Sequence, residues 1–366
     1  MYKIGIDTRL TYYRTGGIST YMRRLVAALE QLDSHNHYTI FQSRKSTEVI
    51  TRQFAHTPLW TPCHHRLERI ALSVELARFR LDVFHSPDFI PPLRGARQHI
   101  ITVHDLTFLH YPQFVTPDSR RYYNDQIEKA VQQAAHILTD SEASKNDMIA
   151  LLGVPADKIT VHMLGVDERF VPFNAADRIA ALGLPAEYVL FVGTLEPRKN
   201  LPGLLAAYRK LLERLPAAPP MLLVGKKGWY FAELQAQINA LHLGDRLIWR
   251  EDIGDSDLPA VYNQASLLAL PSFYEGFGFP ALEAMACGTV PVVSNRSSLP
   301  EVVGAVGAQV DPDDHDGWAA AMERVLLDDS WRLEQRRAGL ERARQFTWEQ
   351  TAQLALGIYE QVGNTG

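Results

Sequence analysis

At 366 residues, with 46% hydrophobic and 22% charged residues and a net charge of −5, the chain has the size and composition of two globular domains. No apolar run is long enough to span a membrane, and Lys3–Asp7 reads as a strand where a secretory leader would have its apolar core. Cys63 and Cys287 form neither a disulfide framework nor a metal pattern, so a cytoplasmic location is expected.

Taken in chain order, Lys3–Asp7 is a first strand. Gly16-Gly17 opens an amphipathic helix through Leu32, with Tyr21, Leu25, Ala28 and Leu29 on one face. A second strand covers 38–41, residues 43–66 read as irregular, and a helix covers 67–79. Short apolar runs at 83–84, 100–103 and 137–139 alternate with helices near 119–135 and 143–152, and 159–164 closes this half. Residues 165–185, with Pro172, Gly183 and Pro185, read as a hinge. Strands then recur at 188–192, 221–224, 247–249, 267–270 and 290–293, with helices near 201–215, 231–241, 258–264 and 281–286. Helices at 315–327 and 331–346 follow, and Thr347 starts a last one. This alternation predicts an α/β protein of two doubly wound, Rossmann-like domains facing across a cleft.

Charge is uneven. Residues 1–100 hold 14 Lys/Arg against 8 Asp/Glu, a surplus of six positive charges, and the remainder carries −11. The basic half suits an anionic membrane surface or an acidic acceptor; a scattered, solvated surface also accounts for it. No like-charged block is present to suggest a nucleic-acid partner.

In open parallel sheets ligands sit beyond the carboxyl ends of the strands, so the residues there are the candidates. His104 follows the strand ending at Val103. Gly193 and then Glu196, Arg198 and Lys199 follow Val192, GKKGWY follows Val224, and Ser294-Asn295-Arg296 follow Val293. The densest stretch is LLALPSFYEGFGFPALEAMACG at 267–288. Gly276 and Gly278 precede a helix with Pro280 expected at its first position, and Glu275 and Glu283 flank the glycine turn. A strand, a glycine turn and a helix N-terminus favour an anion. Two glutamates at such a place suit hydroxyl groups, and phosphate plus polyol suggests a sugar nucleotide. Arg198 and Lys199 suit a diphosphate, although they also read as a solvated helix start. Gly16 and Gly17 permit close backbone approach or form a plain turn into a helix. His104 reads equally as a satisfied buried histidine, and Glu283 as ordinary helix-N-terminal charge.

Three other patterns compete. Gly276, Gly278 and Ala281 fit G-x-G-x-x-A, which keeps an NAD(P)-dependent oxidoreductase as the alternative, though Asn295 and Arg296 stand where its acid belongs. Asp255-Ser256-Asp257 formally fits a D-x-D metal signature and reads better as a helix cap. Cys63-His64-His65 lacks the second half of a metal site.

With these residues assembled, the chain resembles glycosyltransferase family 4, retaining enzymes of the GT-B fold. The resemblance is carried by E-x(7)-E at Glu275 and Glu283 within SFYEGFGFPALEAMACGTVPVVSN. GTLEPRKN at 193–200, Gly16-Gly17, VHDL at 103–106 and the terminal FTWE match in order, and DVFHSPDFIPP at 82–92 looks like a subgroup feature. It implies an acceptor-binding domain of 1–170 plus a returning helix 347–366, and a nucleotide-sugar-binding domain of 171–346. It implies that Glu275 holds donor-sugar hydroxyls and Glu283 the ribose. Gly276 and Phe277–Phe279 would offer backbone amides, with Gly193, Gly16 and Gly17 beside the donor. Arg198 and Lys199 would neutralise the departing diphosphate, and His104 would contact the donor sugar beside the reacting carbon.

The activity so implied is transfer of a hexose from a nucleotide-diphosphate sugar, GDP-mannose before UDP-sugar, to a glycan or lipid-linked acceptor. No metal or other cofactor is required, and peripheral contact with the inner face of a membrane is expected. The loop GKKGWY offers no base-reading residue that maps onto the family, and the sequence sets no oligomeric state.

Overall fold

The computed structural model describes residues 1–13, 16–115, 117–228 and 231–365, and for 117–122, 231–233 and 237 the backbone alone. The chain divides into two compact units, Met1–Gly165 with Thr347–Gly366, and Val166–Phe346.

The first unit is built on seven parallel strands among the described residues: β1 Lys3–Asp7, β2 His37–Ser43, β3 Ala55–Leu59, β4 Leu81–Ser86, β5 Ala96–Val103, β6 His136–Thr139 and β7 Ile159–Val161. Their spatial order is β3-β2-β1-β4-β5-β6-β7. The central strands bury apolar residues on both faces because helices cover both faces of a parallel sheet. Ile4, Ile6, Val83, Phe84, Ile100 and Ile101 are all fully buried. The helix Gly17–Leu32 packs its Tyr21, Leu25, Ala28 and Leu29 face inward. The last helix, Trp348–Asn364, belongs to this unit and lies against Gly17–Leu32. Thr347 caps it by accepting the Gln350 amide, and the Thr351 hydroxyl donates to the Met163 carbonyl at 2.7 Å.

The second unit repeats the architecture with β8 Val189–Val192, β9 Met221–Val224, β10 Leu247–Arg250, β11 Leu267–Leu270, β12 Pro291–Ser294 and β13 Ala308–Val310. The order is β10-β9-β8-β11-β12-β13, again all parallel. Chain order reverses between β1 and β4 in one unit and between β8 and β11 in the other. These are the switch points at which loops diverge and leave room for a ligand.

The structure departs from the sequence reading at weakly apolar elements. The stretch 43–66 contains β3, an edge strand carrying His56, Thr57 and Pro58, a composition tolerated only at an edge. The hinge 165–185 contains a helix, Ala176–Ala181, and β13 was not foreseen. Pro280 occupies the second helical position, because the helix begins at Phe279.

Candidate active site

In the second unit, β8 and β11 deliver their following loops side by side. Leaving β8, the chain passes Gly193, whose φ of 154° favours glycine, and enters a single 3-10 turn, Pro197–Lys199, before the helix Leu201–Arg214. Leaving β11, it passes Pro271 and Ser272 and reaches Glu275. The loops are tied backbone to backbone, with the Phe273 amide donating to the Arg198 carbonyl at 2.8 Å. This places Arg198 and Lys199 against Glu275. Lys199 Nζ lies 2.5 Å from Glu275 Oε1, Arg198 donates to Oε2 at 2.8 Å, and the Ser272 hydroxyl donates to Oε1 at 2.6 Å.

Lys199 and Glu275 are both nearly buried, so their charges are weakly screened. Burial alone would raise the Glu275 carboxyl. Lys199 and Arg198, with hydrogen bonds from Lys199 and Ser272, instead hold it at about 2. Burial and the neighbouring Arg198 lower the Lys199 amine against the pull of Glu275. Arg198 also donates to the Glu196 carboxylate at 3.2 Å and to the Tyr274 carbonyl at 3.2 Å.

The turn after Glu275 is fixed by two serines of the loop after β12. The Glu275 amide donates to Ser297 Oγ at 2.9 Å, and the Ser298 hydroxyl lies 2.8 Å from both the Glu275 and Phe277 carbonyls. Gly278 caps the helix Phe279–Ala286 with φ 108°, and a Cβ there would stand 2.6 Å from Leu299 Cδ2. Glycine is therefore required twice over, by dihedral and by space. Phe277 is buried with its ring against Phe279 and Phe346, so its contribution to a ligand is limited to backbone.

Glu283 lies one turn into that helix and differs from Glu275 in its electrostatics. Its carboxylate accepts from the Tyr262 hydroxyl at 2.7 Å. Burial pushes its carboxyl up to about 7, with Tyr262 and Arg169 opposing and Asp167 and Asp255 adding to the rise. One carboxyl is locked as an anion and the other titrates near neutrality.

In the first unit, His104 follows β5. Nδ1 lies 2.6 Å from Asp140 Oδ2 and Nε2 lies 2.8 Å from the Pro87 carbonyl. Both partners accept, so the ring is a doubly donating imidazolium. Burial would lower it, but Asp140 and the Pro87 carbonyl raise it to about 9. Ser144 fixes the backbone by donating its hydroxyl to the His104 carbonyl at 3.0 Å. Gly16 caps Gly17–Leu32 with φ 129°, and a Cβ there would meet nothing within 4 Å, so the dihedral alone calls for glycine.

Gly193, Arg198, Lys199, Glu275, Gly276, Phe277, Gly278, Phe279 and Glu283 lie in one unit, where Arg198 and Lys199 bond to Glu275 and Glu283 bonds to Tyr262. His104, Gly16 and Gly17 belong to the other. Ser272, Ser297, Ser298 and Tyr262 were not foreseen. Ser272 stands three residues before Glu275, a spacing that offered a signal, whereas Tyr262 and the serine pair depend on tertiary placement. The capping role expected of Asp255-Ser256-Asp257 is corrected: Asp257 takes the N-cap position of Leu258–Gln264 without a side-chain cap, because Arg178 holds its carboxylate at 2.5 Å. Arg296 is neutralised by Asp311 and Asp313. In the GKKGWY loop, Trp229 and Tyr230 lie outside the described residues.

The model of "Glycosyl transferases group 1" matches residues 175–346, and that of "Glycosyltransferase Family 4" matches residues 15–170. The O-antigen chain mannosyltransferase B of Escherichia coli is 37% identical over 285 residues, covering 76% of this chain and 74% of that protein. The chain belongs to glycosyltransferase family 4. This family-4 chain also aligns with the Escherichia coli serotype-specific mannosyltransferase WbdA, at 32% identity over 66% of this chain and 30% of that protein. Among solved structures, sucrose-phosphate synthase from Thermosynechococcus elongatus superposes with a TM-score of 0.81 at 23% identity, covering all of both chains. Anabaena Alr3699/HepE, solved in complex with UDP and glucose, gives 0.79 at 18% identity, covering 99% of this chain and all of that one. At those identities the likeness establishes the GT-B fold. The family-4 protein is a glycosyltransferase, and no comparison supports the oxidoreductase alternative. The glycine turn also follows β11 rather than the first strand of its unit.

Proposed function

We propose that this glycosyltransferase moves a hexose, mannose in the first instance, from a nucleotide-diphosphate sugar to a hydroxyl of a glycan or lipid-linked acceptor, with retention of configuration and without a metal. The observation that carries the reading is the Arg198–Lys199–Glu275 cluster beside the N-terminus of Phe279–Ala286. Mannose and GDP are favoured because the relatives are named mannosyltransferases; UDP-sugars are the second choice.

In the reaction, the acceptor oxygen bonds to the anomeric carbon as the carbon–phosphate oxygen bond breaks. The acceptor's proton passes to the departing diphosphate, whose charge Arg198, Lys199 and the backbone amides of Gly276 and Phe277–Phe279 stabilise. Fixed cations carry this charge without a Lewis acid. Glu275 takes donor-sugar hydroxyls and Glu283 the ribose, with Gly193 leaving room for the donor beside β8. His104, Gly16 and Gly17 are assigned donor contacts by the family resemblance alone. With both ring nitrogens donating to Asp140 and the Pro87 carbonyl, His104 is held as an imidazolium and not as a base. A lipid-linked acceptor calls for peripheral work at the cytoplasmic face of a membrane.

The test is a panel of GDP-, UDP- and ADP-sugars, read by protection from thermal unfolding and by donor hydrolysis. GDP-mannose should protect most, and EDTA should leave the rate unchanged. Protection by NADH and by no sugar nucleotide would overturn the reading; loss of rate in EDTA would overturn the metal-independent part.

A further inference from the structure

The helix Glu68–Leu76 connects β3 to β4 and buries Leu72 and Leu76 among Phe41, Leu59, Leu81 and Phe84. Its opposite side should be polar. Instead Leu67, Ile70 and Val74, spaced to share one face, are 58%, 55% and 73% exposed, and Trp60 beside it is 70% exposed. Trp60 is fixed there because its amide donates to Glu75 of the helix at 2.9 Å.

Around this apolar face stand the exposed Arg66, Arg78, Arg80 and Arg94. The carboxylates of this region are all committed elsewhere. Glu68 pairs with the buried Arg9, and Glu75 accepts the Trp60 and Thr61 amides. Asp82 accepts the Lys3 amide and pairs with Arg97, and Asp88 holds His64 at 2.7 Å. Among the described residues no carboxylate lies within salt-bridge distance of those four arginines. Val74, Ala77, Arg80, Arg94 and Arg97 line one shallow depression of about 620 Å³.

We propose that this face docks the enzyme on an anionic phospholipid surface, with Leu67, Ile70, Val74 and Trp60 entering the headgroup region and the arginines binding lipid phosphates. The guanidinium fork matches phosphate oxygens, and aliphatic side chains with an interfacial tryptophan gain by leaving water at a bilayer boundary. A nucleic acid would engage the arginines but leave the aliphatic residues in water. A second copy of the chain, meeting face to face, would set uncompensated arginines against each other. The docking stands on this surface alone; its use, delivery of the enzyme to a lipid-linked acceptor, rests on the proposed transfer reaction.

Flotation of the full chain with vesicles of phosphatidylcholine, alone or mixed with phosphatidylglycerol, tests the docking. The protein should float with the mixed vesicles only, and added salt should release it. The triple variant Arg78→Gln, Arg80→Gln, Arg94→Gln should lose on the order of 100-fold in partitioning, at roughly fivefold per arginine. The double variant Ile70→Ser, Val74→Ser should also weaken binding. Undiminished flotation of both variants, no flotation of the parent, or patch-dependent self-association in sedimentation in place of vesicle binding would each overturn it. Protection of the same variants by nucleotide sugars reports on the second unit, so failure of the docking and failure of the transfer reading remain distinguishable.

Discussion

Replacing Lys199 by Met separates the electrostatic work of the buried cluster from its packing. Methionine keeps the length and loses the charge, so Glu275 retains Arg198 and Ser272 but loses the cation 2.5 Å away. Lowering the Glu275 carboxyl from 4.5 to about 2 corresponds to about 3 kcal/mol in favour of the folded state at neutral pH. Lys199 supplies the larger share of that stabilisation. Its removal also relieves the cost of burying an ammonium beside Arg198, so the net loss should be about 1–2 kcal/mol. The sign with pH follows from the depressed carboxyl. Its contribution is complete above about 4.5 and fades as the pH falls toward 2. Denaturant titrations of parent and variant should therefore differ most at neutral pH and converge on acidification. Adding Glu275→Gln should restore most of the stability and none of the turnover, which should remain down by roughly 10²- to 10³-fold as for loss of a leaving-group donor. A stability difference that is independent of pH, or a Lys199→Met enzyme of near-parental turnover, would refute this account of the cluster.

Glu283→Gln should behave oppositely. The raised carboxyl favours folding below about 4.5 and loses that contribution as the pH rises through about 7. The amide should therefore stabilise the protein by about 3 kcal/mol at alkaline pH and by much less at pH 5, while weakening nucleotide-sugar protection; equal thermal shifts at both pH values would contradict the assignment. Asp140→Asn should lower the His104 ring from about 9, since Asp140 is the largest of the groups that raise it against burial and only the Pro87 carbonyl and Asp88 would remain, and a histidine-selective NMR titration reads this directly. An unchanged ring titration would remove Asp140 as the cause.

Much of this was legible in the residues. Strands such as Leu267–Leu270 and Met221–Val224 are buried on both faces and announce themselves as apolar runs, and the polar residues after them mark the ligand side of the sheet. β3 escaped notice because an edge strand beneath one helix needs few apolar side chains; only Leu59 of its five residues is buried. The exposed face of Glu68–Leu76 was equally hidden. An apolar residue every three or four positions reads as core, and only the structure shows that Leu72 and Leu76 already serve that purpose. The asymmetry of the two glutamates also lay beyond sequence spacing, since it depends on Lys199 and Arg198 reaching one and Tyr262 the other.

The cluster itself changes how the donor must be held. The sequence suggested Arg198 and Lys199 as cations awaiting a diphosphate, whereas Glu275 and Glu196 already accept from them, leaving two positive and two negative charges at the ends of β8 and β11. A diphosphate therefore cannot be drawn in by unpaired charge at this point. It has to compete for Arg198, and each oxygen that Glu275 gives up must be repaid with a new donor, because a buried carboxylate with an empty lone pair is costly. Sugar hydroxyls are such donors. On the proposed reading, the hydroxyls satisfy Glu275 as the phosphates take Arg198, so the two halves of the donor assist one another. A free diphosphate, lacking hydroxyls to return, gains less from the same cations. On the same proposed reading, burial of the Lys199–Glu275 pair would serve selectivity for an intact sugar nucleotide as well as the fold.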